Sequence, residues 1–236
     1  MNKVVPIFRR EISSYFFSPV AYIVISVFLL IVGWFFSSEL FLANEASLRS
    51  VFSFTPFVFI FFIPAITMRL MSEEQKSGTI ELLFTMPISD IDIVLGKYLA
   101  GLGLLMAALA FTFPYALTVM FFGEPDMGML VSGYLGLILM GASYVAIGMF
   151  ASTVSKNQVV SFIIAFFIIF SLFMLNKFLI LIPPRLVPVF QYLSIDYHFE
   201  NISRGVIDSR DIVYYLSLIV FMLSLAKLSL ESRKWS

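Results

Sequence analysis

Several groups of side chains in this 236-residue chain have types and spacings that chemistry uses. Glu73 and Glu74 are adjacent carboxylates, and Asp90 and Asp92 form a second acidic pair. Paired carboxylates can exchange roles as general acid and base, and some intramembrane proteases use paired glutamates. His198, the sole histidine, is flanked by Asp196 and Glu200, which invites a metal reading. Gly96-Lys97 has the ending of a phosphate-binding loop. Twelve methionines raise the idea of copper handling.

Each group has a plainer reading. An intramembrane protease needs further polar groups inside the bilayer, and the apolar stretches here offer no histidine and no second acidic cluster. Asp90 and Asp92 stand where a long apolar run begins, a position at which carboxylates cap a helix and complement its dipole. One imidazole without a cysteine neighbour makes a poor metal site, and the chain has no cysteine at all. Disulfides and thiol chemistry are thereby excluded, and His198 is expected to hold a structural hydrogen bond. Gly96-Lys97 has no upstream glycine at the phosphate-loop spacing and is followed by Tyr98, so no nucleotide site is read here. The methionines are scattered and suit the filling of packing gaps. No catalytic residue, metal or cofactor is expected on the chain itself.

The elements that carry these residues are unusually apolar. The composition is 60% hydrophobic, 17% aromatic and 13% charged, with mean hydropathy +0.98. A soluble domain of this length cannot hide so much apolar surface, so the expected class is an all-α polytopic membrane protein. The zero formal charge argues against a nucleic-acid partner. The first apolar run is too long for a signal-peptide core and lacks a small-residue cleavage site, so no cleavable signal is expected. A span needs about 20 apolar residues, and six runs qualify: 19–38, 52–68, 91–122, 127–154, 159–176 and 212–226. Pro114 should kink the third, and the short sixth should extend past Lys227.

Charge sets the orientation. With the N-terminus inside, ten of the fifteen Lys and Arg residues fall on cytoplasmic segments; Arg49, Lys177, Arg185, Arg204 and Arg210 fall outside. Both termini are therefore expected in the cytoplasm, with Trp34 and Trp235 near opposite interfaces. No span has an ionisable group near its middle, where a charge costs at least about 2.5 kcal/mol. That counts against an ion-coupled carrier and a charge-ringed channel. The energy source must lie elsewhere.

Three polar segments interrupt or flank the spans. Residues 4–17 are amphipathic: Val4, Phe8, Ile12, Tyr15 and Phe16 form one stripe, with Arg9, Arg10, Ser13 and Ser14 facing away. Glu11 falls within the apolar stripe. That makes sense if this face meets another polar element, such as the segment after Arg69; a simple interfacial anchor is the alternative. Residues 69–97 form the charged interior stretch. Gly78-Thr79 allows a break and a fresh helix start, Thr79 being a plausible cap. Ile80, Leu82 and Leu83 supply an apolar side beside Glu73, Glu74 and Glu81. Pro87 ends this short helix, and Ser89 or Asp90 can cap the next span. Residues 178–210 hold Pro183, Pro184 and Pro188 after an apolar lead-in, which suits short re-entrant or interfacial helices. A pinned turn is expected at Gly205, stabilised by Arg204 and nearby carboxylates. Gly141, Val145, Gly148 and Ser152 form a small-residue stripe on the fourth span that permits close helix approach.

In this order, these segments resemble the permease subunits of ABC-2 type ATP-binding-cassette transporters over nearly the whole chain. Arg9-Arg10-Glu11 through Pro19 and Tyr22 is similar to the family's connecting helix and first-span entry. Glu73-Glu74 through Gly78-Thr79, Glu81-Leu82-Leu83, Pro87 and Gly96-Lys97 is similar to its first cytoplasmic loop. The ending from His198 through Arg204-Gly205 and Asp208 to Asp211 most resembles the gliding-motility-associated branch. The resemblance implies a six-span half-transporter in the inner membrane, an exporter by function class, that pairs with a second permease half and two ATPase subunits. ATP and magnesium would sit on the ATPase. Glu73, Glu74, Gly78, Thr79, Glu81, Leu82, Leu83 and Pro87 would form the ATPase-coupling helix. Arg9, Arg10 and Glu11 would belong to the connecting helix, and His198, Arg204, Gly205 and Asp208 to an external lid. The competing expectation is a membrane anchor that recruits an ATPase to a motility or envelope complex without moving a solute. Aromatic, uncharged spans favour an amphipathic or lipid-linked cargo over a small ion, and they suit lipid-facing surfaces as well.

Overall fold

The computed structural model describes residues 3–43, 47–80, 88–123 and 125–232, and every regular element among them is helical. Helix α1 (Val4–Phe17) ends at Ser18, whose hydroxyl caps α2 (Pro19–Ser38) by accepting from Val20 N at 3.3 Å. Pro19 suits that first turn because a helix leaves the N–H there unpaired anyway. A wider turn at Glu39–Ala43 prolongs α2. Helix α3 (Arg49–Thr67) contains Pro56 and Pro64. It is followed by α4 (Ser72–Ser77), which Gly78 ends at φ 73°. That left-handed conformation suits glycine, and it places the break where the sequence puts it.

Helix α5 (Asp90–Ala110) opens with a reciprocal cap. The Ser89 hydroxyl accepts from Asp92 N at 3.3 Å while the Asp92 carboxylate accepts from Ser89 N at 3.3 Å. The cap is therefore Ser89, and Asp92 has a structural role. The third span breaks after Ala110 and resumes as α6 (Phe113–Phe122), with Pro114 in its first turn. The expected kink is there. Asp126 caps α7 (Met127–Val154), and Asn157 caps α8 (Gln158–Lys177). A short 3-10 turn (Leu179–Leu181), α9 (Val187–Leu193) and α10 (Ile195–Ser203) lead to α11 (Ser209–Ser232).

Among the described residues, six stretches are long and apolar enough to cross a bilayer: Pro19–Leu42, Arg49–Ser77, Asp90–Phe122, Met127–Val154, Gln158–Lys177 and Ser209–Ser232. They contain the six runs read from sequence, and the last passes Lys227 as expected. Helix α7 is the hub: 72% of its apolar window is buried, against 22% for α8 and α11, which therefore face outward. A helix apolar all round belongs in the interior. Its small residues let α3 and α5 come close. A Cβ on Gly148 would lie 2.6 Å from Thr67 Cβ, and one on Gly101 would lie 3.1 Å from Val145 Cγ1. The small-residue stripe thus works inside one chain.

Candidate functional site

The charged groups that the sequence scatters over three segments converge at the end of the bundle where α1 lies. Helix α1 packs along α5, with Ile7 over Gly96 and Phe8 and Ile12 over Gly103. A Cβ on Gly96 would meet Ile7 Cγ2 at 2.7 Å, so this glycine permits the close approach. The inner stripe differs from the expected one at one position. Phe16 is exposed and stands edge-on to Tyr22, and Ile7 takes its place on the packed face. Arg9 is exposed as expected.

Glu11, the residue out of place in that stripe, faces Lys97 of α5. Lys97 is 1% exposed. Its ammonium lies 3.1 Å from Glu11 Oε1 and 3.0 Å from Glu74 Oε2, and it donates to Leu70 O at 2.7 Å. Three N–H groups thus have three acceptors. Arg10 closes the cluster from the solvent side, 3.0 Å from Glu11 Oε1 and 2.9 Å from Glu74 Oε1. Its guanidinium reaches back to the protein, where the sequence had it facing away. Two cations and two carboxylates balance, which is the condition for keeping Lys97 this deep.

The same cluster fastens α4 to the spans. Ser152 of α7 accepts from Met71 N at 2.8 Å and Ser72 N at 3.1 Å, and donates to Met68 O at 3.2 Å. Gln75 donates to Thr153 O at 3.0 Å. The Tyr15 hydroxyl donates to Ile66 O at 2.6 Å, and burial raises its pKa, which keeps the donated proton in place. Elements α1, α3, α4, α5 and α7 therefore meet in one polar junction.

This geometry places Glu73 and Glu74 differently from the sequence reading. Both precede the Gly78 break, on a helix that continues from α3, and do not lie on the helix that was to start at Thr79. Glu74 is 16% exposed and turned inward to Lys97, while Glu73 pairs with Arg69 at 3.0 Å. A carboxylate committed to an internal lysine is not offered to a partner. Thr79 is exposed, 2.9 Å from the Ser77 hydroxyl. Glu81, Leu82, Leu83 and Pro87 lie outside the described residues, as does Trp235.

The opposite end is also built from polar pairs. His198 Nε2 faces Tyr192 O at 2.9 Å, and Nδ1 lies 2.6 Å from Asp211 Oδ1. A carbonyl only accepts, so Nε2 carries a hydrogen. The Nδ1 contact pairs the buried ring with the Asp211 carboxylate. Tyr214 stacks on the imidazole at 3.9 Å between ring centres, and its hydroxyl donates to Leu193 O at 2.7 Å. Both ring nitrogens are engaged by protein groups, which is the structural hydrogen bonding expected of His198. Asp208 accepts from Arg210 N at 2.9 Å at the start of α11, and Gly205 turns at φ 93°. Arg204 adds little to that turn, lying 3.8 Å from Glu200 with its side chain 72% exposed.

The sequence reading missed Lys97 and Asp211 as partners. A signal for Lys97 was present: Glu11 on an apolar stripe and Lys97 two turns into a span are each misplaced alone and compatible together. Asp211 gave none, because an aspartate at a helix start is ordinary.

A family model described as "ABC-2 family transporter protein" matches residues 35–226. No curated protein matches the chain. The matched stretch covers most of the six-helix bundle, and it includes Glu74, Lys97, Ser152 and His198.

Proposed function

The chain belongs to the ABC-2 family of transporter proteins, a multi-pass membrane component that is not itself the ATPase, and we propose that it is the permease half of an ATP-driven exporter. Family membership implies an ABC ATPase partner. In this reading two ATPase copies serve two permease halves, and the ATPase carries ATP and magnesium. The chain sits in the inner membrane with both termini in the cytoplasm, and the excess of Lys and Arg on those segments supports that orientation. In this reading the chain belongs to the gliding-motility-associated branch, which the ending from His198 to Asp211 resembles.

The observation that carries the proposal is the bridge from Lys97 to Glu11 and Glu74. In this reading the ATPase docks on residues 78–87, with Leu82 and Leu83 filling an apolar cleft of the ATPase. Displacement of that segment pulls on α4, whose Glu74 is tied through Lys97 to the third span and through Arg10 to α1. Glu74 is thus a transmitting residue and the surface beyond Gly78 is the docking one.

The absence of cysteine makes the test direct. A single Thr79→Cys chain, co-expressed with its ATPase, should form a thiol-bridged adduct with an ATPase cysteine placed on the docking cleft. A cysteine at Arg185, at the opposite end, should give none. Equal yields from both positions would remove the docking assignment.

A further inference from the structure

The end of the bundle away from α1 holds a cavity of about 360 Å³ between α3, α7, α8 and α10. Its inner wall is aromatic: Phe52, Phe173 and Phe199 line it and are buried. Its outer edge is cationic, with Arg49, Lys177 and Arg204. Lys177 is already committed, 2.7 Å from Asp196 and 3.1 Å from Glu200. Among the described residues the two arginines are not so committed. Arg204 meets Glu200 only at 3.8 Å, and among the described residues no carboxylate forms an ion pair with Arg49. A Cβ on Gly205 would lie 3.6 Å from Met129 N, so this turn packs against the start of α7 next to Arg204, which lines the opening. A glycine is required there because the backbone is left-handed.

We propose that this cavity binds an anionic amphiphile, with a phosphate or carboxylate head between Arg49 and Arg204 and an apolar chain along Phe52, Phe173 and Phe199. The volume lies within the range of small-molecule pockets. A free inorganic anion would leave the aromatic wall unused, and a neutral hydrophobe would desolvate two guanidinium groups for nothing. A cation would meet a lining with three basic groups against two acidic ones. Arginine also suits the head group, since its planar fork pairs with phosphate and carboxylate oxygens. The site stands on its own geometry and does not depend on how the transporter is powered. A resident membrane phospholipid and a lipid-linked cargo share this chemistry.

The test uses the full chain in neutral maltoside micelles and reads the midpoint of thermal unfolding, because a ligand that binds only the folded state raises it. Dodecyl phosphate should raise the midpoint, whereas inorganic phosphate and dodecanol at the same concentration should not. The Arg49→Gln/Arg204→Gln chain should need at least tenfold more dodecyl phosphate for the same rise. Met129→Trp, which fills the cavity, should lose the response while keeping the arginines. Mass spectrometry of the purified chain distinguishes the two sources: a phospholipid retained by the wild type and lost from the double variant marks a resident lipid, and its absence marks a cargo. An equal response to inorganic phosphate or dodecanol overturns the proposal. So does an unchanged response in both variants.

Discussion

Lys97 and Glu74 stand 3.0 Å apart, the lysine fully enclosed and the glutamate side chain 16% exposed. The lysine belongs to the third span and the glutamate to α4, so one ion pair joins a bilayer helix to the segment that runs toward residues 81–87. Breaking a buried pair from one side costs about 3–5 kcal/mol because the remaining charge has lost its partner. Here Arg10 stays beside both carboxylates, which retain some contact with water.

Lys97→Met should therefore destabilise the chain by roughly 2 kcal/mol, below the fully buried case. The drop is read as a lower thermal midpoint in detergent. Glu11→Gln and Glu74→Gln added to Lys97→Met should restore much of the loss, since no unpaired carboxylate remains. Lys97→Arg should not be neutral, because a longer planar group must fit a site in which Lys97 is 1% exposed. A Lys97→Met chain as stable as wild type would show that the cluster holds nothing together.

The α3–α7 contact makes a second, purely steric prediction. A methyl at Gly148 meets Thr67, and the two helices must part to admit it. Gly148→Ala should cost about 1–3 kcal/mol by overpacking. Gly128→Ala, on the same helix but exposed, should cost far less. Comparable midpoints for the two variants would rule out this packing.

The positions of the spans, the kink at Pro114 and the cap at Ser89 were legible because each rests on local rules. Apolar runs of bilayer length, a proline that cannot continue a helix, and a serine three residues ahead of an acid act within a few residues of themselves. The close α3–α7 approach was half legible: small residues on one stripe announce a contact without naming Thr67 as its partner. Glu74 was read as outward-facing because charges beside a span normally meet water. What turned it inward is Lys97, and a lysine near a span end is ordinarily assumed to snorkel. No periodicity connects Arg10, Glu74 and Lys97, which only the fold brings together.

At the far end, His198 and Asp211 should show strong coupling. His198→Phe leaves a buried carboxylate without its partner, at a cost of about 3–5 kcal/mol. Asp211→Leu alone leaves the imidazole with its bond to Tyr192 O and should cost less. The double variant should be more stable than His198→Phe alone, a non-additivity that a double-mutant cycle measures directly. Additive losses would mean that the two side chains are not coupled.

Orientation is tested by labelling single cysteines in the cysteine-free chain. Ser77 and Asn157 are exposed at the end near α1, and Arg185 is exposed at the other. Cysteines at Ser77 and Asn157 should be shielded from an impermeant thiol reagent until the membrane that holds the chain is opened. One at Arg185 should label while that membrane is intact. Labelling of Ser77→Cys under those conditions would place α4 on the wrong side for an ATPase.

Attachment and transmission can be separated, because the proposal assigns them to different residues. Leu82→Asp combined with Leu83→Asp puts two charges into an apolar contact, and losing such anchors typically costs more than about 2 kcal/mol of binding. That chain should reach the membrane and purify without its ATPase. Lys97→Met leaves residues 78–87 unchanged and should purify with the ATPase bound. Its defect should appear in control: wild-type permease should change the rate of ATP hydrolysis relative to the isolated ATPase, and the Lys97→Met complex should hydrolyse at the isolated rate. Retention of the ATPase by the double-aspartate chain would move the docking surface away from residues 78–87. Normal control in the Lys97→Met complex would leave docking in place and remove the Lys97 bridge as the transmitter. If wild-type permease itself leaves hydrolysis unaltered, the chain is an anchor for its ATPase and the transport reading fails.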